Sequence, residues 1–80
     1  MSDLIKLKHP VTVKGQEHTE LKMRAPKVRD MLAGEKVSGS AGEQEVVIFA
    51  NLCEVGREVI EELHLADYQD LQQVYQGFLS

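Results

Sequence analysis

Glu20-Leu21-Lys22-Met23-Arg24-Ala25-Pro26-Lys27-Val28-Arg29-Asp30 is the stretch in which an alternating pattern stops, a proline intervenes and a helical pattern starts. Pro26 fixes its own φ and pushes Ala25 toward extended geometry, which suits the first turn of a helix leaving a strand. The chain before this point reads as a hairpin, and the chain after it reads as helices. Arg24, Pro26 and Asp30 mark a structural junction: an arginine closing a strand, the proline, and a carboxylate where the helix dipole favours one.

Upstream, the odd positions carry the apolar side chains: Ile5, Leu7, Val11 and Val13 on one arm, Thr19, Leu21 and Met23 on the other. A period of two means strands. For both arms to face one core, odd residues must pair with odd residues. That favours a three-residue loop at Lys14-Gly15-Gln16, or a bulge at Gly15, over a two-residue turn that inverts one arm. The odd-length loop is the expectation. Pro10 cannot donate to a ladder, so the first arm should lie at an edge or break into 4–8 and 11–13.

Downstream, Val28, Met31 and Leu32 stand at i, i+3 and i+4, the face of a short amphipathic helix ending near Gly34. Residues 34–42 contain Gly34, Gly39 and Gly42 without apolar period and read as a flexible loop. The helix over 41–53 is the most apolar. Val46, Phe49, Ala50 and Cys53 form one stripe and Ile48 and Leu52 a second, so it wants partners on two sides. A two-turn helix over 56–63 follows, and then 65–79, with Tyr68, Leu71, Val74, Tyr75 and Phe78 on one face. The expected fold class is α+β, one domain over 1–80: an N-terminal β-hairpin at about 4–24 packed against three to four short α-helices.

An 80-residue chain holds a single core. Such a core rarely supplies more than about 3–5 kcal/mol, so small domains lean on disulfides, metals or self-association. Cys53 is the only cysteine, which excludes an internal disulfide and points to a reducing compartment. His9, His18 and His64 lack ligand spacing, so no metal is expected. Self-association is the remaining support, and the two-sided helix over 41–53 predicts it. A net charge of −4 argues against nucleic acid and anionic lipid. Neither a signal peptide nor an apolar run of membrane-spanning length is present, which reads as cytosolic. The acidic pairs Glu43/Glu45 and Glu61/Glu62 occupy polar helix faces, and Cys53 an apolar stripe; no catalytic constellation, phosphate loop or cofactor site is legible.

The ordered set Leu7-x-x-Pro10-Val11, Gly15, Glu20-Leu21-x-x-Arg24-x-Pro26-x-x-x-Asp30, a glycine-rich gap, Ala50-x-Leu52-x-x-Val55, Ile60-x-x-Leu63, Asp67-Tyr68-x-x-Leu71 and Gly77-Phe78-Leu79 resembles the phage tail assembly chaperone family, tail protein E type, of contractile-tailed phages. Lys27, Gly56 and His64 depart from the helix-starting residues expected there. The resemblance implies a non-enzymatic protein of the host bacterial cytoplasm that binds the tape measure protein during tail morphogenesis. Tail tube components and a longer frameshifted product are the further partners it brings into view. A structural tail, baseplate or head–tail subunit retained in the virion is the alternative. A phage transcriptional regulator is weaker still, because 65–79 carries no Lys or Arg. The expected partner-binding groove is formed by Ile48, Leu52, Tyr68, Leu71, Tyr75 and Phe78, with Phe49 in the core.

Overall fold

Lys14 and Gly15 both adopt positive φ, 52° and 80°, and close a two-residue turn between strands β1, Ser2–Val13, and β2, Gln16–Arg24. The computed structural model describes residues 2–80, and β2 is followed by helices α1, Val28–Glu35, α2, Ala41–Cys53, α3, Arg57–Glu62, and α4, Leu65–Leu79. The α+β class read from the sequence, a hairpin with helices packed on it, is what the structure shows.

The odd-length loop is corrected. A turn with two positive-φ residues matches the right-handed strand twist, and it pairs Val13 with Gln16 and Val11 with His18. Those pairs join odd to even, so near the turn His18 faces inward, half-buried, and Thr19, expected inside, is exposed. Parity is restored further along. Between Lys6 and Val11 the register shifts, and beyond the shift Ile5 pairs with Leu21. The core did demand odd-to-odd pairing there, but a bulge around Pro10 supplies it instead of the loop. Pro10 suits that place because it has no N–H to contribute to a ladder.

The inner hairpin face, Ile5, Leu7, Val11, Leu21 and Met23, packs against Phe49, Ala50, Leu52 and Cys53 of α2, Val59 and Ile60 of α3, Leu63, and Leu71 of α4. Helix α2 lies against β2, α3 and α4 lie against β1, and α1 sits on α2. Helix α2 begins in a capping box, where Ser40 Oγ accepts from the Glu43 amide at 3.1 Å and the Glu43 carboxylate accepts from the Ser40 amide at 3.0 Å. The N-caps of α1, α3 and α4 are Lys27, Gly56 and His64, none with a side-chain cap bond. In α1 and α4 a buried aspartate at the third helical position takes over the polar role, and in α4 it reaches out of the helix.

Candidate partner-binding surface

Asp67 is fully buried, and its two carboxylate oxygens accept the backbone amides of Lys8, at 2.9 Å, and His9, at 3.0 Å. These are the amides that the bulge at Pro10 removes from the ladder. Burial pushes the Asp67 carboxyl upward, yet the two amide bonds outweigh it and hold the group below the ordinary carboxylate range. His9 and His64, distant in sequence, stack beside this clamp with ring centroids 4.3 Å apart. No group of three or more His, Cys, Asp or Glu side chains able to hold a metal occurs among the described residues. The Cys53 thiol is buried and pushed up to about 11, the condition of an inert apolar cysteine.

At the other end of the hairpin, Arg24 donates from Nη1 to Asp30 Oδ2 at 2.9 Å and from Nη2 to Oδ1 at 2.8 Å. The Lys27 amide donates to the same Oδ2 at 2.8 Å. This bidentate bond, with the Lys27 amide, holds the Asp30 carboxyl below its ordinary range. Asp30 is almost completely enclosed, and one turn later Gly34 is buried too. A Cβ added at Gly34 would stand 2.6 Å from Ile48 Cγ1, so the glycine is what lets α1 lie so close to α2.

These two contacts fix which side of α1 faces the core, and it is not the apolar side. Asp30 and Gly34 point inward, while Val28 is 70% exposed and Met31 and Leu32 are each 48% exposed. The amphipathic stripe of α1, which the periodicity marks as a packing face, therefore looks outward. Beside it a cleft of about 240 Å³ opens between the start of α1 and the end of α4, lined by Pro26, Val28, Met31, Tyr75 and Leu79 among others.

The residues expected to form a partner groove are distributed differently. Leu52 and Leu71 have no exposed surface, so neither offers area to a partner helix. Ile48 is half-buried under Gly34, so the second stripe of α2 is covered from within the chain by α1. Tyr68 is half-buried, its ring 5.4 Å from that of Phe49, and its hydroxyl donates to Glu45 Oε1 at 2.5 Å. Gln72 Nε2 donates to the same oxygen at 2.9 Å. Tyr75 lies 5.3 Å from the Phe49 ring and has its other side on the cleft. Phe78 is half-buried against the core. Six exposed large apolar residues lie outside the expected groove: Val28, Met31, Leu32 and Leu79 around the cleft, and Leu4 and Leu65 elsewhere. The readable signal was Gly34, one turn beyond Asp30 and on the side opposite the stripe.

The surface is apolar and shallow, and its lining includes no nucleophile beside a base. A wide depression along α4 is lined by Gln69, Gln72, Gln73 and Gln76, which supply neither acid nor base. No helix among the described residues is long and apolar enough to cross a membrane. No curated protein and no solved structure matches the chain. The model of the family described as phage tail assembly chaperone proteins, E, or 41 or 14, matches residues 4–80, and the chain belongs to that family.

Proposed function

We propose that this chaperone binds the tape measure protein during tail assembly, through the outward stripe of α1 and the adjoining end of α4. The carrying observation is the inverted α1, whose apolar residues Val28, Met31 and Leu32 keep about half or more of their surface exposed. A domain this small needs most of its apolar residues for its own core, so three exposed together on one helix face ask for an external occupant. An amphipathic helix of the long partner lays its apolar face across α1 and its edge into the cleft at Tyr75 and Leu79. The protein works without catalysis, in the host cytoplasm, and leaves before the particle is complete.

The test is capture of the tape measure protein by the purified chain. Met31→Glu and Leu79→Glu should each abolish capture with little change in the melting temperature, because both side chains are about half exposed. Ile48→Asp and Phe49→Asp should both unfold the domain. Full capture by both exposed-site variants, or presence of the protein in purified virions at structural stoichiometry, overturns the reading.

A further inference from the structure

We propose that the outward face of α1 closes on the same face of a second copy of this chain, the two helices antiparallel about a two-fold axis. The apolar stripe and the charges around it are arranged symmetrically enough for this. With about 1.5 Å of rise per residue, an axis passing between Met31 and Leu32 sets Met31 of each copy against Leu32 of the other. It also sets Glu35 of each copy over Val28 of the other.

Val28 is flanked in sequence by Lys27 and Arg29, at the positive end of the helix dipole, and Glu35 lies at the negative end. Glu35 thus lands between two cations of the partner and on the positive end of its helix, twice per pair. The same axis brings Lys36 of each copy to the level of Lys27 of the other. This like-charge pair at the exposed ends of the two helices opposes the Glu35 contacts and keeps the association weak. Inside one chain, none of Lys27, Arg29 and Glu35 makes an ion pair among the described residues, as is also true of Lys6, Lys8, Lys22 and Lys36, so these three charges are free to meet a partner's. Asp30, the other charge of α1, is turned inward and answered by Arg24.

Elsewhere two copies, each of net charge −4, repel. At the start of α1 the exposed cations Lys27 and Arg29 stand beside the exposed apolar side chains Val28 and Met31. A handful of residues a side is far below the roughly 20–30 of a standard interface, so the pair is weak and reversible. If the tape measure reading above holds, pairing also hides the site until that partner competes for it; the pairing itself does not rest on that reading.

Sedimentation equilibrium over a wide concentration range tests the proposal. The wild-type mass should rise from 9.0 kDa toward twice that value. Met31→Glu should stay monomeric. Glu35→Lys alone, and Lys27→Glu with Arg29→Glu together, should each weaken self-association by at least about tenfold. Mixing those two charge variants should restore pairing, because both contacts of the mixed pair then join opposite signs. Circular dichroism on each variant confirms that it is folded. A wild-type mass of 9.0 kDa at every concentration, or two folded charge variants that fail to pair when mixed, overturns the proposal. Capture of the tape measure protein by the monomeric Glu35→Lys variant reports separately on the chaperone reading.

Discussion

Replacing Asp67 with asparagine keeps the size of the side chain and removes one acceptor and the charge. At present Oδ1 takes the Lys8 amide and Oδ2 the His9 amide, in a fully buried site. Asparagine can accept one of these and must turn its own NH2 against the other. One amide loses its partner and the remaining bond loses its charge assistance. At about 1–3 kcal/mol for a stranded group and about 1 kcal/mol for the weakened bond, the loss is about 2–3 kcal/mol. Lys8 and His9 are exposed residues, and partial rehydration of the freed amide keeps the figure from going higher. In a domain of this length each kcal/mol moves the melting temperature by roughly 4–8 °C, so Asp67→Asn should lower it by roughly 10–20 °C at pH 7. The effect depends on pH with a definite sign. The folded carboxyl titrates below its ordinary value, so its contribution is complete above about pH 4 and disappears as pH falls through the folded pKa. Thermal melts of both proteins at pH 7 and pH 3 should show the gap narrowing in acid. A gap equal at the two pH values, or below about 0.5 kcal/mol at pH 7, refutes the clamp.

Gly34→Ala brings about 1 kcal/mol of helix propensity but drives a Cβ to within 2.6 Å of Ile48 Cγ1, and overpacking of that kind costs about 1–3 kcal/mol. The variant should be destabilised, and the same substitution made on Ile48→Ala should instead stabilise; denaturant melts of the four proteins read the reversal. Limited proteolysis with a nonspecific protease should first cut the segment between α1 and α2, at 36–40, leaving the hairpin and α2–α4 protected. First cleavage within Ala41–Cys53 would contradict this.

The change from period two to period 3.6 at Pro26 made the hairpin and the helices legible, because that signal is local. The need for odd-to-odd pairing was legible as well, since Ile5 and Leu21 must share a face. Its location was not. A loop and a bulge shift register equally, and only the positive-φ pair Lys14-Gly15 and the amide acceptors waiting on Asp67 decide between them. Helix α1 shows a sharper limit. Periodicity identifies Val28, Met31 and Leu32 as one face but says nothing about where that face points. The orientation follows from Arg24 holding Asp30 and from Gly34 meeting Ile48, two contacts between separate elements. Asp67 read as a dipole-compatible residue in a first turn, and nothing near it in sequence reveals partners at Lys8 and His9.

That separation has a consequence for how the chain comes off the ribosome. The Lys8 amide meets its acceptor 59 residues later, so the bulged hairpin emerges with two amides that nothing yet made can receive. Until the first turn of α4 is synthesised, those amides remain hydrated, and Ile5, Leu7 and Leu21 have only part of their cover. The hairpin is translated before the helix that secures it, and Asp67 is what its two freed amides wait for. Locking of the hairpin therefore waits for the first turn of α4, and a ribosome stalled before residue 67 holds an unlocked sheet.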